Sequence, residues 1–265
     1  MSLETSVQLL NQYFDHIYLI TIPRSWEKRK EKLQKNLAGI RYSVFEGFDG
    51  KQHKPEEIAA LSDEKKGSEY LDFFHVLRYG KPVYRNLTPS EVGCGVSHNW
   101  VFRDILEKGY DKVLILEDDA MIWEPGLSAF PKMLKELPPD WDLWYLGYRW
   151  HDCESLLARV KRKSLLALKF IVNPSEGKKE HTRQKTVYPK YWKKHIWKAG
   201  LHAGTHAYAI RRKTAEKLWA ENTPVYLSSD MLLAKVYLDG KITSYISVPQ
   251  VFKDDQSFET TILHQ

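Results

Sequence analysis

Cysteine is scarce in this chain, and long apolar runs are lacking. The 265 residues include two cysteines, Cys94 and Cys153, too few for a disulfide framework in a protein of this size. There is no apolar run of about 18 residues, and the first twenty residues lack the charged leader and apolar core of a signal peptide. We therefore expect a cytoplasmic protein, soluble or at most peripheral to a membrane.

Internal repeats and low-complexity linkers are also lacking, which favours one domain over several. Apolar residues make up 43% of the composition, enough to build a substantial core. We expect a single domain over residues 1–265.

The positive charge is concentrated in one part of the chain. The formal net charge is +6, and residues 151–200 contain thirteen Lys or Arg against four acids. Such an excess suits an anionic partner, which could be a nucleic acid, a phosphorylated small molecule or a membrane surface. Within it, LLARVKRKSLLALKFIV (156–172) fits two interpretations: a membrane-surface element, or an amphipathic helix packed on the domain with a solvated basic face.

Apolar periodicity predicts alternating strands and helices. Residues 51–90 look irregular apart from a short helical piece near 55–61. Strands are expected at 16–22, 41–50, 112–116, 142–148, 204–212 and 241–248, and helices at 25–37, 90–109, 126–137, 213–221 and 228–240. This order predicts an α/β fold with a mostly parallel central sheet.

Three consecutive acids, Glu117, Asp118 and Asp119, follow the apolar strand in VLILEDDA (113–120). Ligands of open α/β sheets bind beyond the carboxyl ends of the strands. Alternation directs Glu117 and Asp119 to one side, where they could share a divalent cation and so bind a diphosphate. A solvated loop or a helix cap explains the triplet equally well.

Five segments in order resemble the successive motifs of glycosyltransferase family 25, which includes bacterial lipooligosaccharide glycosyltransferases and collagen galactosyltransferases. The segments are YLITIPRSWEKR (18–29), FEGFDG (45–50), LTPSEVGCGVSH (87–98), VLILEDDA (113–120) and GTHAYAIRRKTAEKL (204–218). The resemblance implies a Rossmann-like α/β/α sandwich of the GT-A type. It also implies a nucleotide-side half at about 15–120 and an acceptor-side half at about 121–265.

The same resemblance implies an inverting transfer of galactose or glucose from a UDP-sugar donor, with Mn²⁺ or Mg²⁺ as cofactor. The expected acceptor is a glycan such as a lipooligosaccharide precursor. A lipid-linked acceptor would make membrane contact through the basic segment 156–198 useful. A basic nucleic-acid-binding protein, suggested by the charge of residues 151–200, is a further hypothesis, but the acidic triplet argues against it, so no nucleic-acid partner is expected.

Residue roles carry over where the motifs match. The triplet takes the place of the family's DxD motif, with Asp119 as the metal ligand and Glu117 assisting it. The donor-binding candidates are Thr21, Pro23, Arg24, Arg29, Asp49, Gly50, Ser97, His98 and Asp118. Other interpretations are a surface charge for Arg29, a glycine turn for Asp49 and Gly50, and a core residue for His98.

Asp230 is the candidate catalytic base, because an inverting transfer needs a carboxylate to take the proton of the acceptor hydroxyl. The alternative is a cap at the start of its helix. In the aromatic-rich stretch DLWYLGYRW, Tyr145, Tyr148 and Trp150 are candidate acceptor-binding residues, since aromatic rings stack on sugars. Core packing is the alternative for these rings.

The first motif departs from the family pattern, because ITIPRS replaces a sequence like INLDRS. Thr21 and Pro23 thus stand where the family usually has Asn and Asp. This departure keeps open a second hypothesis, a catalytically silent member that binds a glycan or a protein partner.

Overall fold

A computed structural model describes residues 2–79, 82–149 and 156–258. Trp150 lies outside these residues. The strands are β1 (His16–Thr21), β2 (Ser43–Glu46), β3 (Lys112–Glu117), β4 (Ala120–Ile122), β5 (Leu143–Arg149), β6 (Lys190–Tyr191), β7 (Ile196–Lys198), β8 (Ala203–Arg211), β9 (Ser244–Ser247) and β10 (Phe252–Asp254).

Helices connect most of these strands. They are α1 (Leu3–Tyr13), α2 (Pro23–Asn36), α3 (Pro55–Leu61), α4 (Glu64–Tyr79), α5 (Pro89–Lys108), α6 (Glu124–Glu136), α7 (Leu156–Val172), α8 (Pro174–Val187), α9 (Arg212–Glu221) and α10 (Ser229–Leu238). Among the described residues, no helix is both long enough and apolar enough to cross a bilayer.

The strands of the described chain form an eight-stranded sheet in the order β2-β1-β3-β8-β5-β9-β7-β6 and a small sheet of β4 and β10. β8 and β7 run against their neighbours, and the other six strands of the large sheet share one direction. The expectation of a mostly parallel sheet is therefore confirmed for strand direction, and the reversed β8 makes the centre of the sheet mixed.

Both faces of the sheet are covered by helices. Val113 and Ile115 of β3 belong to a buried cluster that includes residues of α5, α9 and α10. Leu114 and Leu116 point the other way, into a cluster that includes residues of α1, α2 and α6. Residues 113–116 of β3 are all apolar and all buried, as expected for a strand enclosed on both faces. The predicted α/β/α sandwich is confirmed.

The expectation that most of residues 51–90 are irregular is wrong, because they contain the sixteen-residue helix α4. The first turn of α4 is charged and includes Gly67, which weakens the helical pattern in the sequence. Leu71 and Phe74 are buried against the rest of the molecule, so tertiary packing stabilises this helix.

Glu221 joins α9 to α10 through a buried ammonium group. Lys235 Nζ lies 3.1 Å from the Glu221 carboxylate and 2.6 Å from that of Asp239, and the Lys235 side chain is 5% exposed. Lys241 and Tyr226 also donate hydrogen bonds to Glu221. Burial alone would raise the pKa of Glu221, but these hydrogen bonds outweigh it and lower the pKa to about 2.

Glu221→Gln should lower the free energy of unfolding at neutral pH by roughly 2 kcal/mol, because it removes a carboxylate from a buried ammonium. The native pKa lies below the unfolded value, so this contribution is complete above about pH 4.5 and is lost as the pH falls towards 2. Urea unfolding across this range measures the difference. Glu216→Gln, at an exposed position of α9, is the control; a difference that does not change with pH would contradict this account.

Candidate functional site

A cleft of about 100 Å³ opens at the carboxyl ends of β1 and β3. β1 and β3 are parallel neighbours, with Ile20 paired to Glu117, so the end of β1 and the acidic triplet meet at one edge of the sheet. The predicted site residues that line the cleft are Thr21, Arg24, Asp49, Gly50, Ser97, His98, Glu117 and Asp118. The structure therefore brings together most of the donor-binding residues that the motifs indicate.

Asp118 is held by the β1–α2 segment. Thr21 Oγ1 donates a 2.6 Å hydrogen bond to Asp118, and the Arg29 guanidinium forms an ion pair with the same carboxylate. Burial raises the pKa of Asp118, and Arg29 and Thr21 oppose that shift. Because Arg29 is only 8% exposed, the interpretation of Arg29 as a surface charge is wrong.

Arg24 and Asp49 form an ion pair at the cleft, where Arg24 Nη2 also donates a 3.1 Å hydrogen bond to Asp49. Pro23 starts α2, a position that suits proline because the missing N–H would have no helical partner there. Ile22 provides no side-chain cap for this helix, and Ile22 and Ser25 line the cleft. The N-terminus of α2 therefore faces the cavity.

The loop after β2 packs tightly on α5. Ser97 Oγ donates to the Gly93 carbonyl at 2.7 Å and accepts a 2.9 Å hydrogen bond from the Phe48 amide. A Cβ at Gly50 would lie 1.9 Å from the Pro89 carbonyl oxygen, so only glycine allows this approach. Ser97 and Gly50 thus shape the wall of the cleft.

Glu117 is fixed by α5 and β8. His98 Nε2 lies 3.2 Å from Glu117 Oε1, and Thr205 Oγ1 donates to the same oxygen. His98 Nδ1 lies 2.6 Å from the Tyr208 hydroxyl. Burial lowers the pKa of His98, but hydrogen bonds to Cys94 and Glu117 outweigh it and raise the pKa to about 9.

The pKa of Glu117 shifts in the opposite direction. Burial raises it, and the hydrogen bonds from His98 and Thr205 outweigh burial and lower it. His98 and Glu117 therefore stabilise each other as an imidazolium and a carboxylate. His98 is both a cleft residue and a buried partner of the triplet, so the two sequence-based interpretations of it are compatible.

The network continues into α10 through residues that sequence reasoning missed. Thr205 Oγ1 lies 2.8 Å from Ser229 Oγ, and Ser229 Oγ lies 3.1 Å from Cys94 Sγ. Thr205 belongs to the GTHAYAI motif and Ser229 to SSD, but nothing in either motif indicates that the two hydroxyls meet. This contact links the helix that carries Asp230 to the acidic triplet.

Asp119 is the least compensated acid of the triplet. Its Oδ1 is buried without a hydrogen-bond partner among the described residues, and Arg149 Nη2 is 3.9 Å from Oδ2. Arg149 makes a closer ion pair, 2.8 Å, with Asp254 of β10. Burial, followed by the charges of Glu117 and Asp118, raises the pKa of Asp119 to about 7.

These acids fit a hard divalent cation. An unpartnered buried carboxylate oxygen among other carboxylates is the type of donor that Mn²⁺ and Mg²⁺ prefer. A second group, Cys94, His98 and Glu117, places one ligand atom from each residue within 4.8 Å of the others. Its thiol and imidazole suit softer metals, and its hydrogen bonds already account for its geometry.

Asp230 lies in the first turn of α10. Its Oδ1 accepts hydrogen bonds from Ser228 Oγ at 2.7 Å and from the Met231 amide at 2.9 Å. Ser228 is the N-cap residue of α10 and its side chain makes no cap hydrogen bond, so Asp230 is not the cap, although its bond from the Met231 amide stabilises the helix start. Asp230 is not among the residues that line the described cleft. Its role as a base stays a prediction.

The expected acceptor contacts of Tyr145 and Tyr148 do not fit the structure. These side chains are 2% and 4% exposed and belong to the core, and the Tyr148 hydroxyl donates to the Ser247 carbonyl. Helices cover both faces of the sheet, so successive side chains of a central strand all point into packed layers. The two tyrosines are therefore core residues, as the packing alternative holds.

Comparison with known proteins identifies the family. The family described as "Glycosyltransferase family 25 (LPS biosynthesis protein)" matches residues 14–233. The chain belongs to this family. The matched range includes β1, the triplet and the start of α10.

Curated relatives cover part of the chain. Procollagen galactosyltransferase 2 of Homo sapiens is 27% identical over 138 residues, 51% of this chain and 21% of that protein. A glycosyltransferase 25 family member of Anopheles gambiae is 31% identical over 141 residues, 50% of this chain and 21% of that protein. The inactive glycosyltransferase 25 family member 3 of Homo sapiens is 27% identical over 139 residues, 51% of this chain and 22% of that protein. The aligned regions span about a fifth of the length of these relatives.

Solved structures show only a weak likeness. Protein A197 from STIV aligns with a TM-score of 0.34 and 13% identity over 94% of this chain and 98% of that chain. Mannose-1-phosphate geranyltransferase from Thermus thermophilus aligns with a TM-score of 0.31 and 10% identity, over 87% and 58% of the two chains. These scores carry no argument about function.

Thr205→Val should lower the free energy of unfolding by roughly 2 kcal/mol, because it removes a buried hydrogen bond donated to a carboxylate and another accepted from Ser229 while keeping the side-chain shape. Urea unfolding measures the change. Thr182→Val is the matched control, since Thr182 is exposed on α8 and donates to a carbonyl of its own helix. Equal stability of Thr205→Val and the wild type would show that His98 alone holds Glu117.

Proposed function

We propose that this chain is a metal-dependent inverting glycosyltransferase that moves galactose or glucose from a UDP-sugar to a glycan acceptor. The main support is the cleft at the carboxyl ends of β1 and β3, where Arg24 lies with Glu117 and Asp118, and next to these two acids in the chain is the incompletely compensated Asp119, which does not itself line the cleft. This combination suits a metal diphosphate better than either a bare anion or a neutral sugar. A lipooligosaccharide precursor, lipid-linked, is the acceptor we propose.

The wall formed by α2 suits the donor phosphates. Arg24 lies at the uncapped N-terminus of α2, where backbone amides and the helix dipole favour an anion. Its partner Asp49 holds the guanidinium at the cleft. Ligand sites usually have volumes of roughly 300–1,000 Å³, so this cleft is smaller than a complete site. Part of a UDP-sugar would therefore occupy the cleft, and the rest would extend along the sheet edge.

The triplet would hold the cation. Asp119 supplies the oxygen without a partner, Glu117 lies beside it in an orientation fixed by His98 and Thr205, and Asp254 adds a carboxylate that the sequence did not indicate. A bound Mn²⁺ or Mg²⁺ would neutralise negative charge on the departing UDP. Asp118, already paired with Arg29, would shape the donor side of the site.

Asp230 is the proposed base that accepts the proton of the acceptor hydroxyl. The support is positional, because the neighbouring Ser229 contacts Thr205 and through it the triplet. Its hydrogen bonds from Ser228 and Met231 would orient the carboxylate as well as stabilise the helix start.

A catalytically silent member of the family is the second candidate. It is supported by the ITIPRS departure and by an inactive relative with similar identity. Incubation with UDP-galactose or UDP-glucose, with and without Mn²⁺, distinguishes the two by UDP release and thermal stabilisation. Metal-dependent binding without UDP release, even with added glycan acceptors, would favour the silent member. If neither sugar nucleotide is bound, the donor-site proposal is wrong.

Asp119→Ala should abolish metal-dependent binding of the UDP-sugar while the fold is retained, because no other acid of the triplet has an unpartnered buried oxygen in the described structure. Calorimetric titration with UDP-galactose and Mn²⁺ measures the loss, and circular dichroism checks the fold. Asp140→Ala, at an exposed acid remote from the triplet in sequence, is the control. Full turnover in Asp119→Ala would refute the metal assignment.

Asp230→Asn should keep donor binding within about twofold and lower transfer by about 10²-fold or more, because the amide retains the hydrogen-bonding shape but cannot take a proton. Steady-state transfer and donor titration separate these effects. Glu216→Gln, at an exposed position of the neighbouring α9, controls for a general loss of negative charge. Unchanged transfer in Asp230→Asn would leave Asp230 as a residue that stabilises the helix start.

A further inference from the structure

The outer face of α7 exposes a row of aliphatic side chains. Their exposed fractions range from 54% to 83%, although branched aliphatic residues are normally buried. The residues are Leu157, Val160, Leu165, Leu168, Ile171 and Val172. Because they recur at helical spacing, they form one apolar strip along the helix.

The opposite face attaches α7 to α8. Phe170 packs so closely on Gly177 that a Cβ there would lie 2.7 Å from the ring. Arg162 Nη1 donates a 2.7 Å hydrogen bond to Gln184, and its guanidinium lies 4.0 Å from the centre of the Tyr188 ring. The exposed strip is therefore not the packing face of the helix. The sequence-based alternative, a packed apolar face with a solvated basic face, does not describe α7.

Cationic side chains lie within and beside the strip. α7 contains five Lys or Arg and no acid, and residues 156–187 contain nine basic residues against two acids. Lys161, Lys163 and Lys169 are exposed on α7. Their long stems can lie along apolar surface while the ammonium groups reach outward to anionic partners.

We propose that α7 binds the surface of a membrane that contains anionic lipids. The helix would lie in the plane of the interface, with the aliphatic strip at the boundary between headgroups and acyl chains and the lysines at the lipid phosphates. At about 1.5 Å per residue its seventeen residues are about 25 Å long, so the contact spans many lipid headgroups.

A lipid surface fits this face better than a nucleic acid does. Proteins that hold single-stranded nucleic acids stack bases on aromatic rings, whereas the exposed strip consists of Leu, Val and Ile alone. Aliphatic residues gain by leaving water for an acyl environment, and the surrounding positive charge selects anionic headgroups. The proposal does not depend on catalysis, because α7 is separate from the residues that line the cleft.

Flotation of the full chain with vesicles tests the proposal. We expect binding to vesicles of phosphatidylcholine mixed with phosphatidylglycerol, weaker binding to phosphatidylcholine alone, and weakening by salt. The double variant Leu168→Asp with Ile171→Asp should bind the mixed vesicles about tenfold or more weakly, because two aliphatic side chains no longer leave water. Both positions are exposed, so the fold should be retained.

The matched control is Phe73→Asp with Val76→Asp, which places the same charges at exposed apolar positions of α4. It should bind like the wild type. Equal binding by the two double variants, or no binding by the wild type, would overturn the proposal.

A second variant separates lipid from nucleic acid. Lys161→Gln with Lys163→Gln should weaken binding to the mixed vesicles and reduce its salt dependence. The proposal would be overturned if the protein did not bind vesicles but retained a single-stranded RNA, and if that retention depended on these lysines and not on Leu168 or Ile171. UDP release from a soluble donor should be the same in all α7 variants, so failure of vesicle binding and failure of the glycosyltransferase proposal give different results.

Discussion

Three half-buried carboxylates at the end of one strand are the constraint around which the site is organised. Removing charge from water is unfavourable unless each charge finds a partner, and neighbouring like charges increase the penalty. The fold gives each of the three acids a different partner. Asp118 meets Arg29 of α2, Glu117 meets His98 of α5 and Thr205 of β8, and Asp119 is left with a more distant Arg149 of β5. Two helices and two strands are thus positioned by one acidic turn.

This unequal compensation gives the three acids different chemistry. The pKa of Glu117 is lowered, so it is a permanent anion near neutral pH, whereas the pKa of Asp119 is raised to about 7. An added cation would stabilise the Asp119 carboxylate most, because it supplies the opposite charge that the protein does not. The network that fixes Glu117 also connects to α10, so the proposed metal site and the proposed base share one rigid support.

Prediction from sequence worked where the signal is local. β1, α5 and β3 were predicted because apolar periodicity marks them, although α5 begins at Pro89 with Thr88 as its cap, just before the expected start at residue 90. The charged start of α4 hid a helix that depends on tertiary packing. Thr205 was missed as a partner of Glu117 because the two are 88 residues apart, and Tyr145 was misassigned because an aromatic strand looks the same in a core and in a sugar site.

By itself, the sequence determined the family, the alternation of strands and helices, and eight of the residues that line the described cleft, because these depend on short motifs and on periodicity along the chain. Only the tertiary structure decided which partner each acid has, that Tyr145 and Tyr148 are buried, and that the aliphatic strip of α7 faces outward. The physical reason is that charge compensation and burial are set by groups distant in sequence, which the fold alone brings into contact.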